Sequence, residues 1–164
     1  MMFSNQVRKL ILFLHVSTSV ALMGAVASFL VLAIGGDSSP NSETQKAYYV
    51  AMNIIAQLVV LPLSILSLVV GIISSLGTPW GLVRFYWVIA KLILTTITVI
   101  VLLLQMHPIS QLAEIATTRN LMPDDLGLQI RIIVHAGGGL GVLVVIMVFS
   151  IWKPRGKINL MLDE

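Results

Sequence analysis

Cysteine and charge are what this 164-residue chain has least of: no Cys, ten Lys and Arg, and seven Asp and Glu. The absence of cysteine excludes disulfides, thiolate metal sites and cysteine-ligated iron–sulfur clusters. Charged residues make up 10% of the chain and hydrophobic residues 57%, whereas soluble domains are about 25% charged. So few polar side chains cannot cover the surface, and the composition predicts that the lipid bilayer covers it.

Four apolar runs organise the chain, and each reaches the roughly 20 residues that a transmembrane helix needs. They lie at residues 10–34, 47–75, 87–105 and 129–152. The pattern predicts a single domain, 1–164, with an all-α fold: a polytopic membrane protein built as an antiparallel bundle of four transmembrane helices.

The connection between the third and fourth runs is the one long loop. Ile109, Leu112 and Ala113 recur there at helical spacing, which predicts a short amphipathic helix on the outer surface. Because His107 directly precedes Pro108, we expect the third helix to end near this point.

The basic residues predict how the chain is inserted, since cytoplasmic loops of membrane proteins are enriched in Lys and Arg. One side collects most of the cations: Arg8, Lys9, Arg84, Lys153, Arg155 and Lys157. An aromatic belt is expected on the same side, formed by Trp80, Phe85, Tyr86, Trp87 and Trp152. Both termini are therefore predicted to be cytoplasmic. Charges that lie at membrane edges, rather than on one basic face, exclude nucleic acid as a partner.

Polar residues form a stripe along each predicted helix, and transmembrane helices turn such stripes toward one another. By depth, the stripes divide into two groups. The outer group consists of His135, Arg131, Asn53, Gln57 and Gln105; the inner group consists of His15, Lys91, Thr95 and Ser67. Lys91 and Arg131 lie near the membrane edges, where snorkelling toward the interface explains a cation without any further role.

The histidines allow two interpretations. Each of His15 and His135 is either a buried neutral imidazole bonded to a neighbour or a functional group such as a haem ligand or proton carrier. With three histidines in all, one chain cannot ligate two haems. His15 and His135 differ in depth by roughly 20 Å at the helical rise, so His107 and His135 form the better pair for a single haem b.

Four glycines follow His135, at positions 137, 138, 139 and 141. Glycines spaced in this way let another helix approach closely, and helix packing is the favoured interpretation. The alternative is that the missing side chains, above all at Gly138, make room for a flat cofactor beside His135.

No catalytic constellation is present, which favours a protein that is not an enzyme. No Asp or Glu lies inside an apolar run, and the sequence contains neither a nucleophile elbow nor a phosphate-binding loop. A proton path along Lys91, Gln57 and His135 remains open as an alternative, in a small transporter or channel.

Three segments together resemble a known family. They are His15 in the first helix, Lys91-Leu-Ile-Leu-Thr-Thr-Ile-Thr followed by Leu102-Leu-Leu-Gln in the third, and His135-Ala-Gly-Gly-Gly-Leu with Lys153-Pro-Arg-Gly in the fourth. The chain resembles, over nearly its whole length, the bacterial integral membrane proteins catalogued as domain of unknown function 2269. The resemblance implies a four-helix protein of the bacterial cytoplasmic membrane and brings no established activity. The layout is more distantly similar to copper-resistance and cytochrome b561-like membrane proteins.

The sequence therefore predicts a small accessory or ligand-binding membrane protein, with His135, His107, His15 and Gly138 as the candidate cofactor-binding residues and the two histidines His135 and His15 as candidate haem-iron ligands. A further alternative is a structural subunit that docks a larger membrane complex through the 137–141 glycine face. A homo-oligomer is also compatible with the sequence.

Overall fold

A computed structural model describes residues 3–77, 81–152 and 156 of the chain. The described residues form helices and no strand. The elements are α1 (Asn5–Ser38), α2 (Ser42–Ile55), a π-helical turn (Ala56–Val60), α3 (Leu61–Leu76), α4 (Tyr86–Thr118), a 3-10 turn (Pro123–Asp125) and α5 (Leu126–Trp152). Trp80, Lys153, Arg155 and Lys157, on which the predicted orientation partly depends, lie outside the described residues.

Four helical segments are long and apolar enough to cross a membrane, as the sequence predicted. They are Asn5–Ser38, Ser42–Leu76, Tyr86–Thr118 and Pro123–Trp152. Each has at least 30 residues, which is about 45 Å of helix, against a bilayer core of about 30 Å. The second segment begins before its predicted run because a polar cap, rather than the first apolar residue, starts the helix. Asn41 shows this at the start of α2, where its Oδ1 accepts from the N–H groups of Glu43 at 2.9 Å and Thr44 at 3.3 Å.

The π-helical turn in the second segment has a local cause. Pro62 lies two residues after the end of the turn and carries no N–H, so it cannot donate to the carbonyl of Leu58. A single wider, π-helical turn before the proline accommodates the missing hydrogen bond without ending the helix. α2, the π turn and α3 therefore run on as one segment from Ser42 to Leu76.

The predicted separate outer helix is wrong. α4 continues through His107 and Pro108 to Thr118, so Ile109, Leu112 and Ala113 form its last turns. These side chains are 0–4% exposed, and Ile109 and Leu112 belong to the hydrophobic core with Tyr49, Met52 and Ile132. Burial of this face stabilises the helix beyond the proline, at the expense of one backbone hydrogen bond. The apolar spacing marked a core face, not a surface one.

Close packing links the ends of neighbouring helices. A Cβ on Gly36 would lie 2.7 Å from Cε1 of Tyr49, and a Cβ on Gly71 would lie 2.9 Å from Cε1 of His15. Only glycine permits these approaches, at the contact of α1 with α2 and of α1 with α3. The helices are buried to different extents, however. In the most apolar 18-residue stretch of each segment, 28% of the residues of α1 are buried, against 6% of those of α5. α5 is therefore the helix that the rest of the chain covers least.

An ion pair orders the connection between α4 and α5. Arg119 donates twice to Asp125, with Nη1–Oδ2 at 2.7 Å and Nη2–Oδ1 at 2.9 Å, and the N–H of Met122 donates to Asp125 Oδ2 at 2.8 Å. These hydrogen bonds to Asp125 raise the pKa of the Arg119 guanidinium above its usual value. Asp125 thereby caps the 3-10 turn that leads into α5, as the Pro-Asp-Asp sequence suggests.

Candidate functional site

A cavity of about 320 Å³ lies between α1, the π turn, α3, α4 and α5. Its walls are apolar apart from four side chains: Ser64, Thr98, Gln105 and His135. The two hydroxyls are satisfied within their own helices, since Ser64 donates to the carbonyl of Leu61 and Thr98 to that of Leu94, both at 2.8 Å. Gln105 and His135 are therefore the polar groups that this cavity offers to a ligand.

Gln105 lies deep in the cavity wall. Its side chain is 6% exposed, and its Oε1 has no hydrogen-bond partner among the residues that the structure describes. A buried polar group left in this state costs about 1–3 kcal/mol. Among the described residues that line the cavity, Gln105 is thus one with an unmet side-chain hydrogen bond.

His135 lies where the cavity meets the surface, because its side chain both lines the cavity and is exposed. Its Nδ1 is 2.6 Å from the carbonyl oxygen of Arg131. A carbonyl only accepts hydrogen bonds, so Nδ1 carries the proton and the lone pair of the neutral ring is on Nε2. This arrangement, in which a backbone carbonyl orients the ring, is how histidines are set up to accept a hydrogen bond or bind a metal through Nε2.

The mouth of the cavity lies between α4 and α5. Val134 of α5 and Ile97 of α4 line the cavity and are 62% and 52% exposed, and Gly138 is an exposed lining residue as well. In a membrane, this side of the bundle faces lipid. A ligand would reach Gln105 sideways, from the bilayer.

The glycines of α5 do not pack against another helix of this chain. A Cβ built at Gly137, Gly138, Gly139 or Gly141 would meet no atom within 4 Å, so the favoured packing interpretation is wrong for contacts within the described chain. Gly138 and Gly139 line the cavity, whereas Gly137 and Gly141 do not. Close approach within the fold is instead made by Gly36 and Gly71 of other helices.

The predicted outer group is split. Gln105 and His135 share the cavity, but Asn53 of α2 and Gln57 of the π turn form a separate cluster with Ser110 of α4, on the outside of the bundle. Gln57 Nε2 donates to Asn53 Oδ1 at 2.9 Å and to Ser110 Oγ at 3.2 Å. The sequence interpretation missed Ser110 because it ended the third helix before Pro108. Continued helical periodicity from Gln105 would have placed Ser110 on this helix.

The predicted inner group is only partly assembled. Ser19 and Ser67 hydroxyls lie 3.0 Å apart, and the ring of His15 packs on Gly71 with its Nδ1 buried and without a partner among the described residues. Lys91 points toward α5, where its Nζ donates to Ser150 Oγ at 3.0 Å. The same Nζ lies 5.0 Å from the centre of the ring of Trp87, which belongs to α4. Thr95 is half-buried one turn further along α4.

The three histidines occupy three different settings. All three lie in the described ranges. His135 lines the cavity, His15 of α1 packs against α3, and His107 is exposed on the outside of α4. The described residues contain no group of three or more His, Asp or Glu side chains that could hold a metal ion. His135 and Gly138 are therefore the predicted cofactor-binding residues that share a site.

Comparison with known proteins adds no relative: no family model, no curated protein and no solved structure matches the chain.

Proposed function

We propose that this chain is a small multi-pass protein of the bacterial cytoplasmic membrane that binds one apolar ligand in the cavity between α4 and α5. In this proposal the four helices form an antiparallel bundle with both termini in the cytoplasm. The observation that carries the proposal is Gln105, a residue 6% exposed whose Oε1 lacks a partner among the described residues. The other polar side chains of the cavity are His135 and two hydroxyls that bond within their own helices. Ligand sites have this character: apolar walls with a few polar groups that orient the ligand.

The ligand class follows from the polar groups of the site. A neutral His135 accepts at Nε2, and the Gln105 amide can either donate or accept. The ligand we expect has an apolar body and a hydroxyl or similar donor. Its volume has to suit a cavity of about 320 Å³, at the small end of ligand pockets.

Haem b is a second candidate ligand, on a specific observation of the His135 ring; because it is larger than the cavity of about 320 Å³, it would extend through the mouth between α4 and α5. The carbonyl of Arg131 lies 2.6 Å from His135 Nδ1, so Nε2 is the atom through which His135 would hold the iron. The bare backbone of Gly138 and Gly139 leaves space beside the ring. When bound, haem would supply one-electron redox chemistry, and the role of His135 would be to hold and orient it.

The experiment is to purify the protein in lipid nanodiscs, extract what it retains, and identify it by mass spectrometry, with a visible spectrum taken first. We expect a co-purified apolar molecule near one per chain. A Soret band that disappears in His135→Ala would identify haem, and a colourless protein that stays colourless after haem is added would exclude it.

A pair of glycine variants locates the ligand. Gly138→Leu places a side chain in the cavity wall and should remove at least about nine-tenths of the bound ligand, which corresponds to about 1.4 kcal/mol. Gly141→Leu is the matched control, because it lies on the same helix and outside the cavity lining. Equal loss in both variants, or none in either, would contradict a ligand in this cavity.

The two alternative functions have less support. A proton path through Lys91, Gln57 and His135 would need these residues along one cavity, but Gln57 lies on the outside of the bundle and Lys91 bonds Ser150. Docking of a larger complex through Gly137 and Gly141 remains a prediction that the Gly141→Leu variant also tests, through loss of a co-purified protein.

A further inference from the structure

The outside of the bundle carries a polar cluster that the proposed ligand site does not use. Asn53, Gln57 and Ser110 are joined by three hydrogen bonds: Gln57 to Asn53 at 2.9 Å, Gln57 to Ser110 at 3.2 Å, and Ser110 to Asn53 at 3.3 Å. Gln57 is exposed. His107, also exposed, lies one helical turn further into the membrane on the Ser110 side of α4. We call these four residues the Gln57 face.

Hydrocarbon, rather than water, surrounds this face in a membrane. Ile54 and Leu58, which flank Gln57 on the same helix, are 51% and 71% exposed, and Leu104 of α4 is 66% exposed. Gln57 lies eleven residues beyond Lys46, about 16 Å along the helix. The Gln57 face is therefore a polar patch within an apolar band.

A polar face directed at lipid calls for a protein surface to cover it. Polar residues within transmembrane segments turn toward other helices or toward a water-filled cavity, because unsatisfied polar groups are costly in hydrocarbon. Two of the three internal hydrogen bonds use the N–H groups of Gln57, and none of the three uses its Oε1. The amide of Asn53 likewise uses only its oxygen there.

The hydrogen-bonding groups that stay unused in one copy of the Gln57 face are complementary to those of a second copy. Asn53 offers N–H donors and Gln57 offers a carbonyl acceptor, so the face presents both halves of a hydrogen-bonded pair. Two copies inserted in the same orientation place their Gln57 faces at equal depth, and a two-fold axis along the membrane normal brings donor and acceptor patches together. Asn and Gln side chains bridge transmembrane helices in this manner.

We propose that the Gln57 face is the contact between two copies of this chain in the membrane. The cavity and its mouth between α4 and α5 are not part of this contact. Each protomer of the dimer keeps its own ligand site, so the proposal stands whether or not a ligand is found.

The absence of native cysteine makes a cross-linking test direct. Leu58→Cys in the otherwise unchanged chain should form a disulfide-linked dimer on mild oxidation in liposomes. Val31→Cys is the control, since Val31 is 66% exposed on α1. Counted from the Ser19–Ser67 contact, Leu58 and Val31 lie about 14 and 18 Å outward along their helices. We expect cross-linking at least about tenfold faster for Leu58→Cys.

A second measurement removes the amide. Gln57→Leu should weaken dimerisation in a dilution series in lipid by about eight- to 300-fold, because the two-fold contact loses two symmetry-related hydrogen bonds between transmembrane helices. Ser28→Leu is the control, because this exposed hydroxyl donates to the carbonyl of Gly24 within its own helix at 2.9 Å. Circular dichroism of the variants verifies that the helices are retained.

Any of four outcomes would overturn the proposal. The first three are a protein that is monomeric at every lipid dilution, equal cross-linking of Leu58→Cys and Val31→Cys, and an unchanged dimer in Gln57→Leu. A Leu58→Cys product with a different protein in native membranes, and none with itself, would assign the Gln57 face to another partner and likewise reject the second copy.

Discussion

Gln105 and Gln57 are both amides in apolar helices, and the fold gives them opposite surroundings. Gln105 is buried, and its Oε1 has no partner within the described chain, whereas Gln57 is exposed and bonds two side chains. In a soluble protein the exposed amide would be unremarkable and the buried one costly. In a membrane both need a further contact, because lipid offers no hydrogen bond to either. We assign a ligand to the first and a second copy of the chain to the second.

Replacing each glutamine by leucine should separate the two roles most clearly through ligand binding. We expect Gln105→Leu to lower ligand affinity by about five- to 150-fold, the effect of losing a buried hydrogen bond of about 1–3 kcal/mol. Gln57→Leu should leave affinity unchanged, because Gln57 does not line the cavity. Ligand titration of both variants in nanodiscs measures this. Equal losses in the two variants would contradict the assignment of the ligand to Gln105.

The free energy of unfolding without ligand should also distinguish Gln105 from Gln57. Gln105→Leu removes a buried amide that has no partner within the described residues, so the ligand-free protein should become more stable by about 1–3 kcal/mol. Gln57→Leu should give no such gain, because it removes two existing hydrogen bonds. Unfolding of ligand-stripped protein in detergent provides the free energies. Destabilisation by Gln105→Leu would show that the amide is already satisfied.

A smaller change to the Gln57 face should have a graded effect. Ser110→Ala removes one hydrogen-bond partner of Gln57 and frees its N–H, so dimerisation should change by less than in Gln57→Leu, about threefold or less. Ligand binding should remain as in the unchanged protein. The lipid-dilution assay is the measurement, and an effect on ligand binding would indicate that the two regions are coupled.

The smallest effect is expected away from both glutamines. Asp125→Asn weakens the bidentate pair with Arg119, which is solvent-exposed on the arginine side at 41%, and should lower the free energy of unfolding by about 1 kcal/mol or less. Ligand retention and dimer fraction should not change. A large change in either would show that the α4–α5 connection controls the cavity or the Gln57 face.

The predicted helices were recovered from the sequence because lipid imposes a simple rule: about 20 apolar residues cross the bilayer. The predicted end of the third helix at Pro108 was wrong, however. A proline after an apolar run indicates a helix end when only local sequence is considered, but burial of Ile109 and Leu112 against the core outweighs the lost hydrogen bond. Part of the candidate site could also be predicted from the sequence. Helical periodicity marked Gln105, His135 and Gly138, but could not tell which polar stripe faces a cavity and which faces outward.

The sequence was sufficient to predict four helices that are long and apolar enough to cross a membrane, since length and hydropathy depend only on residues adjacent in the chain. It also determined which polar residues share a side of each helix. The tertiary structure decided the rotation of each helix about its axis, through contacts such as Gly36 with Tyr49 and Gly71 with His15. That rotation places Gln105 inside and Gln57 outside, and it leaves the α5 glycines uncovered. Rotation depends on packing between residues distant in the chain, which periodicity within one helix does not contain.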